Sequence, residues 1–171
     1  MRMRSLCRHR QPGVHLPTPA SSLKRQKVSY ERLVFDLQEK VKTFQETIEK
    51  RADRLSVLGE TEYGGLQCKY RQAVLMGNLM LASTVVRELI GLVRTRLKFL
   101  KQDEYGQLQQ MRKESRGLGQ RVLTETIVSL IALNLRQTVW LEEEVLLREE
   151  EVRQLGYRLD AEKQRGELAT G

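Results

Sequence analysis

Apolar residues return every three or four positions along most of this chain, and this spacing limits its possible folds more than any other feature. One turn of an α-helix takes 3.6 residues, so positions separated alternately by four and three residues lie on one helix face. Between residues 30 and 58 eight of nine such positions are apolar, and Arg51 is the ninth. The eight are Tyr30, Val34, Leu37, Val41, Phe44, Ile48, Leu55 and Leu58.

This face predicts a helix over residues 22–58 whose seam binds a partner helix in a coiled coil. The same spacing also fits a helix packed on a globular core, and the sequence leaves that alternative open. Two later stretches repeat the pattern, over residues 86–100 and 127–159. In the last stretch Asn134 and Arg148 replace apolar residues, and such buried polar groups can fix the alignment of helices at a cost in stability.

Glycines mark the predicted ends of the helices. Three of them fall between residues 59 and 65, which predicts a hinge there. Gly117 and Gly119 predict a turn centred on Leu118, and a turn at Gly106 is the alternative. The chain is thereby divided into a disordered basic arm (1–21), a coiled-coil helix (22–58), the hinge (59–65), a basic helix with an apolar core (66–116) and an acidic-flanked coiled-coil helix (120–166).

Composition argues against most other fold classes. Aromatic residues make up 5% of the 171 residues and charged residues 30%, which does not suit a β-sandwich or a typical enzyme core. The longest uncharged stretch, residues 72–86, contains four polar residues and does not predict a membrane span. We therefore expect an all-α protein, an elongated coiled coil of long helices with an antiparallel hairpin near residues 117–119.

Charge is distributed unevenly along the chain. The net charge of +8 divides into +7 for residues 1–30, −2 for 31–65, +7 for 66–121 and −4 for 122–171. A turn at Leu118 would set the basic third segment against the acidic fourth, with Arg87 facing Glu149 and Arg94 facing Glu142. We expect these charge pairs to select the fold-back, while the apolar seam supplies stability. The glutamates between residues 142 and 151 are expected at a solvated or partner-facing edge.

The first 30 residues carry basic residues and no acid. The basic cluster that follows the arm, Lys24, Arg25 and Lys27, fits a minimal nuclear-localisation pattern and equally fits anionic surfaces. The arginine-rich start also resembles a mitochondrial presequence, but its arginines do not share one helix face and prolines follow at once. We expect a cytoplasmic location, with the cytoskeleton as one setting and the nucleus or mitochondria as alternatives.

Reactive side chains are few. The chain has two cysteines and two histidines, and the spacing of Cys7, His9 and His15 matches no common zinc site. No glycine-rich phosphate loop and no nucleophile elbow is present in the sequence. We therefore expect no enzymatic activity, no catalytic residue, no metal site and no cofactor.

These patterns predict a non-enzymatic scaffold or adaptor subunit that assembles with other coiled-coil subunits, as a homo- or hetero-oligomer, in a cytoskeletal, trafficking or similar complex. Its partner-binding seam is the apolar face between residues 30 and 58. The alternative is a nucleic-acid-binding protein that uses the basic arm and the basic middle helix. We expect no small-molecule substrate, and only weak contact of the arm with anionic surfaces.

Overall fold

The computed structural model describes residues 19–171, and every element in this range is a helix. In order they are α1 (Pro19–Lys50), α2 (Arg54–Leu58), α3 (Glu60–Leu75), α4 (Leu79–Lys98), a π-helical segment (Phe99–Glu104), α5 (Tyr105–Gly117) and α6 (Arg121–Thr170). The expectation of an all-α protein with long helices is confirmed for this part of the chain. None of these helices combines the length and apolar composition needed to cross a bilayer.

The helices make three passes along one bundle, and the second and third passes run in opposite directions. α4, the π segment and α5 form the second pass without an interruption, and α6 forms the third. Near the connecting turn the Ser115 hydroxyl lies 2.7 Å from that of Thr124. Further away Glu104 accepts a hydrogen bond from Asn134. Residue numbers thus fall along one pass as they rise along the other.

The first pass, α1 to α3, runs in the same direction as α6. The Tyr30 hydroxyl donates to the Leu118 carbonyl at one end of the bundle. Farther along α6, Ala73 of α3 packs in the same apolar cluster as Leu155. α1 therefore passes the turn at residues 118–120 at the level of Tyr30, eleven residues after its start at Pro19, and α3 ends at the opposite end of the bundle.

Two turns of the same design connect the three passes. Gly77 and Gly119 have φ angles of 68° and 66°, the left-handed region that glycine adopts without a steric cost. At the second turn the Gly119 N–H donates to the Arg116 carbonyl, and the Gln120 N–H donates to the Ser115 carbonyl. The turn at Gly77 has the same two bonds. This Schellman arrangement satisfies the last carbonyls of α3 and α5.

Three apolar clusters fill the bundle from one end to the other, and each fully buried aliphatic side chain contributes about 1.5–3 kcal/mol. The cluster beside the turn at residues 118–120 contains Leu37, Val41, Ile48, Leu108, Met111, Ile127, Leu130 and Ile131. The middle cluster contains Val57, Leu58, Tyr63, Leu89, Val93, Leu100 and Leu141. The cluster at the other end contains Ala73, Leu79, Ala82, Val86 and Leu155.

The first pass breaks at a different place from the one predicted. α1 ends at Lys50, and a new helix starts after Asp53, whose carboxylate accepts from the Ser56 N–H in a capping box. Of the hinge predicted over residues 59–65 only Gly59 interrupts the helices, where it separates α2 from α3, and residues 60–65 are helical. Gly64 and Gly65 lie inside α3, where the burial of neighbouring side chains such as Tyr63 offsets their low helix propensity.

Other predicted boundaries also differ. The helix predicted over residues 66–116 is divided by the turn at residues 76–78, and it contains the π segment. The alternative turn at Gly106 is wrong, because Gly106 lies inside α5. α6 covers the predicted range 120–166 to within a few residues. Residues 19–21 belong to α1 rather than to a disordered arm, and the rest of the predicted arm lies outside the described residues.

We expect Gly119→Ala to lower the free energy of unfolding by about 1–2 kcal/mol, because alanine must enter the left-handed region. Gly117→Ala is the matched control, since Gly117 has ordinary helical geometry and open space around its Cα. That change should leave stability unaltered or raise it by up to about 1 kcal/mol. Urea unfolding followed by circular dichroism measures both, and equal effects would contradict the Schellman turn.

Candidate interaction surfaces and buried ion networks

The apolar seam predicted to bind a partner is largely covered by its own chain. Leu37, Val41 and Ile48 are at most 2% exposed and pack on α5 and the first half of α6. Tyr30 and Leu55 stay 42% and 38% exposed at the edges. Its assignment as a partner-binding surface is therefore wrong for the buried positions. The physical reason is that α5 and α6 supply an apolar groove within the same chain, so the helix packs on its own core.

Cations of the second pass meet glutamates of α6, but not in the predicted combination. Arg94 pairs with Glu149, and Lys101 pairs with Glu142. The predicted pairing of Arg94 with Glu142 is therefore wrong. Arg87 shares a shallow groove with Glu149 and forms no ion pair with any of residues 19–171. These exposed pairs contribute at most about 1 kcal/mol each.

The difference has a geometric cause. Side chains of an α-helix lean toward its N-terminus. When two helices run in opposite directions, a long side chain on one helix therefore contacts a residue of the other that lies about one turn C-terminal to the residue opposite its own backbone. If the contact of Ser115 with Thr124 is extended along the bundle, Arg94 lies opposite residue 145, yet it pairs with Glu149 four residues further on.

A buried polar layer crosses the middle of the bundle where α1 ends. The Arg51 guanidinium lies 2.6 Å from the Glu104 carboxylate, and the two side chains are 6% and 3% exposed. Asn134 donates to the same carboxylate at 2.8 Å. Gln137 donates to the carbonyls of Ile48 and Arg51, both at 3.0 Å. Gln137 of α6 thereby provides hydrogen-bond donors for buried carbonyl groups at the C-terminal end of α1.

A second ion network lies one level further along α6. The Glu144 carboxylate accepts hydrogen bonds from the Tyr63 hydroxyl, from Arg148 at 2.8 Å and from Arg54 at 3.1 Å. Arg148 also pairs with Glu151 at 2.8 Å. Glu144 is 4% exposed, so the expectation that this glutamate lies on a solvated edge is wrong. The Glu144 carboxylate thereby connects Arg54 of α2, Tyr63 of α3 and Arg148 of α6.

The network changes the pKa of its members. Burial alone would raise the pKa of Glu144, but the Tyr63 hydrogen bond and the charge of Arg148 together bring it below its ordinary value of 4.5. Burial and the hydrogen bond to Glu144 raise the pKa of Tyr63. Burial would lower the pKa of Arg148, yet its bonds to Glu151 and the neighbouring tyrosine raise it. At neutral pH Glu144 is therefore a carboxylate, Arg148 a guanidinium and Tyr63 a neutral phenol.

An open groove separates α3 from α4. Its volume is about 880 Å³, and apolar side chains such as Leu66 and Leu92 line it together with Gly65 and Gly91. Neither glycine has a neighbouring atom within 4 Å of the position that a Cβ would take. Glycine at these two positions therefore leaves the groove open where a side chain would fill it.

Two groups of exposed apolar side chains lie away from that groove, while others, such as Val28 and Phe35, lie on α1. The tip, which we define as Leu75, Met76, Met80 and Leu81, caps the turn between α3 and α4 and is 48–86% exposed. The outer stripe, which we define as Val128, Ala132, Leu135, Val139 and Leu146, follows the solvent side of α6. A contiguous exposed apolar surface is typical of an interaction site.

Two groups of basic residues were predicted to contact anionic surfaces or nucleic acid. Lys24, Arg25 and Lys27 are exposed on the first turns of α1. The basic residues of the second pass are partly engaged: besides the ion pairs of Arg94 and Lys101, Arg96 donates to the Val57 carbonyl at 2.9 Å. Within the described range no group of histidine, cysteine, aspartate and glutamate is arranged to hold a metal ion. Cys7, His9 and His15 lie outside that range.

Sequence reasoning missed Tyr63, Glu104 and Gln137 as members of the buried layers. Glu104 and Gln137 are polar residues on helices whose apolar neighbours dominate the pattern, so their burial depends on which helix faces them. Asn134 and Arg148 were accessible to prediction because they interrupt the four-three spacing, and both are at most 5% exposed.

We expect a double-mutant cycle to distinguish the observed charge pair from the predicted one. The exchange Arg94→Glu with Glu149→Arg should recover about 0.5–1 kcal/mol of the loss caused by the single changes. The cycle of Arg94→Glu with Glu142→Arg is the matched control and should show no coupling. Thermal unfolding at low salt measures both, because salt screens exposed charges. Coupling in the second cycle alone would contradict the observed alignment.

We expect acid to weaken the fold partly through Glu144. Its folded-state pKa lies below its unfolded value, so the unfolded chain binds more protons in the pH range just under 4.5. Stability is therefore fully present above that range and falls as the pH drops through it. Glu144→Gln should cost about 3 kcal/mol at pH 7, because Arg148 loses a buried partner, and should make the acid dependence shallower.

The solvent-facing Glu150 provides the control for this prediction. Glu150→Gln should leave both the stability at pH 7 and its acid dependence close to those of the unaltered chain, since the partners of Glu150 are the exposed side chains of Arg153 and Gln154. Urea unfolding at pH 7 and pH 3.5 (on either side of that range) measures the three proteins. If Glu144→Gln lost as much unfolding free energy between these two pH values as the unaltered chain does, the role given to this carboxylate would be contradicted.

No family model, curated protein or solved structure matches this chain, so its function has to be inferred from its surfaces and buried groups.

Proposed function

We propose that this chain is a non-enzymatic scaffold or adaptor subunit that assembles with other helical subunits of a larger complex, of a cytoskeletal, trafficking or similar kind. The observation that carries this proposal is the tip. Leu75 and Met76 are 86% and 83% exposed, and Met80 is 66% exposed. Apolar residues this exposed cost solubility, and methionine adapts its shape to a partner surface, so such a patch favours protein binding.

We also propose that the second and third passes pair as an antiparallel coiled-coil hairpin. Support comes from the apolar positions on facing sides of α4 and α6, and from the ion pairs of Arg94 and Lys101 at the edge. The charges select the fold-back and the apolar contacts stabilise it. Such a hairpin gives an adaptor a stiff frame that presents the tip at one end.

The partner surface that fits the tip is an apolar groove between helices. The tip joins the last residue of α3 to the first turn of α4 and its side chains are exposed, so it can enter a groove without rearrangement of the bundle. Apolar anchors that enter a pocket supply most of the binding free energy in protein interfaces. A helical subunit with an exposed groove of this kind is therefore the expected partner.

Nucleic-acid binding is the second candidate, because Lys24, Arg25 and Lys27 are exposed on one segment of α1. The basic residues of the middle helix contribute less than the sequence suggested, since glutamates of α6 already neutralise Arg94 and Lys101. We rank this function below the adaptor role for that reason.

The adaptor role is tested by affinity purification of the tagged full chain from cells, followed by identification of the bound subunits. The bait is compared with the variant Met76→Lys with Met80→Lys, which changes only exposed side chains of the tip. We expect helical subunits that the unaltered chain retains and the variant loses. Each such subunit is then purified and should bind the chain directly, with at least a tenfold loss for the variant.

The control carries lysine at two other exposed apolar positions, Tyr157 and Leu168 of α6. It should retain the same subunits as the unaltered chain. Equal recovery from the bait, the tip variant and the control would contradict the proposal. Submicromolar binding of purified chain to DNA or RNA at about 0.15 M salt, lost when Lys24, Arg25 and Lys27 are replaced by alanine, would favour the second candidate.

A further inference from the structure

α6 carries two apolar stripes, and only one of them packs against the other helices of the bundle. The inner stripe packs on the other two passes, where Ile127, Leu130 and Leu141 are at most 2% exposed. The outer stripe faces solvent: Val128, Leu135, Val139 and Leu146 are 44%, 49%, 48% and 67% exposed. Its members, with Ala132, are spaced by four, three, four and seven residues. The outer stripe therefore has the periodicity of a second helix-pairing seam.

The composition of this part of α6 supports a second contact. Residues 126–135 contain no charged side chain on any face of the helix. A helix on the surface of a bundle normally presents charged residues to water, and one that is apolar nearly all round is covered on more than one side. The other passes cover only the inner stripe, so the outer stripe is the surface left for another molecule.

We propose that two copies of this chain pair through their outer stripes, with the two α6 helices antiparallel and crossing beside Gln137. This arrangement sets Leu135 against Val139 of the second copy, and Val128 against Leu146 of the second copy. Both contacts occur twice because the pairing is two-fold symmetric. The inference deepens the proposed assembly role, and rests on it, by naming a partner for one surface.

One charged residue lies within the outer stripe and is compatible with this alignment. Glu142 falls opposite Ala132 of the second copy, whose small side chain leaves room for it. Lys101 of its own chain already neutralises the Glu142 carboxylate. The pairing therefore does not bury an uncompensated charge.

The charges along the edge of the stripe select the antiparallel direction. Ser129, Arg136, Glu143 and Glu150 lie along its exposed edge, while the residues along its other edge, such as Ile131 and Thr138, face the bundle. Parallel helices bring opposite edges together and would leave Arg136 without a carboxylate. Antiparallel helices bring the same edge of each copy together.

The tilt of the side chains toward the helix N-terminus then brings Arg136 near a glutamate of the second copy. Arg136 falls opposite residue 138 of the second copy, and the four-residue offset observed within the bundle brings its guanidinium level with residue 142, next to Glu143 on the exposed edge of the second copy. Arg136 forms no ion pair with residues 19–171 of its own chain, while Glu143 is 57% exposed and pairs with Arg54 through one oxygen. The second oxygen can accept from the other copy, twice per dimer.

Sedimentation equilibrium of the purified full chain tests the pairing. We expect twice the 19.9 kDa mass of one chain. Leu135→Glu with Val139→Glu should give the single-chain mass with unchanged helical circular dichroism. The matched control, Met76→Glu with Met80→Glu, places the same two charges on the tip and should remain a dimer. A single-chain mass for the unaltered protein at about 100 µM, or a dimer that persists in the stripe variant, would overturn the proposal.

Charge exchange tests the edge contact. Arg136→Glu and Glu143→Arg should each raise the dissociation constant of the dimer about three- to tenfold, and the two changes together should return it close to its original value. Recovery is expected only if these two residues face each other across the interface. An additive loss in the double variant would overturn the proposed alignment.

Disulfide formation tests the direction, in a background where serine replaces Cys7 and Cys68. An equimolar mixture of Val128→Cys and Leu146→Cys chains should form the mixed disulfide, since an antiparallel pair brings these positions within reach. A Val128→Cys chain that cross-links to itself would indicate parallel pairing and overturn the proposal. A chain that is monomeric here but retains other subunits from cells would overturn the self-pairing alone, and a dimer that retains none would overturn the adaptor role alone.

Discussion

The contact between Arg51 and Glu104 is the constraint on which the rest of the structure depends. A charged pair buried in an apolar bundle is expensive to form and still more expensive to break, so it tolerates only one arrangement of the helices around it. It lies where α1 ends and where the second pass becomes π-helical. Asn134 and Gln137 complete the layer from α6, so all three passes are aligned at this level.

This layer also explains why the first pass can break inside the bundle. A helix end buried in an apolar interior leaves carbonyl groups without partners. Gln137 supplies two donors to these carbonyls, and Asp53 starts the next helix with its own capping box. Three polar atoms of the layer, on Arg51, Asn134 and Gln137, have no partner among the described residues, so its contribution is alignment rather than stability.

The apolar faces of the helices could be predicted from the sequence, whereas the helices that cover those faces could not. The four-three spacing located the buried positions of α1 and of α6, and the interruptions at Asn134 and Arg148 pointed to buried polar groups. Periodicity does not say which helix covers a face, so the seam of α1 was assigned to a partner although its own chain covers it. Glycine was given too much weight as a helix breaker, because Gly64 and Gly65 stay helical while Asp53 marks the break. The direction of side-chain lean explains the charge pairs, and heptad positions alone do not include it.

The two ends of the three-pass bundle differ in chemistry. The basic first turns of α1 lie at the end that holds the turn at residues 118–120, and the apolar tip lies at the other. The second pass of residues 79–117 separates these ends by about 60 Å, at 1.5 Å per residue. A partner bound at each end would therefore be held at this spacing from the other, and the difference in chemistry between the ends would set which partner binds where.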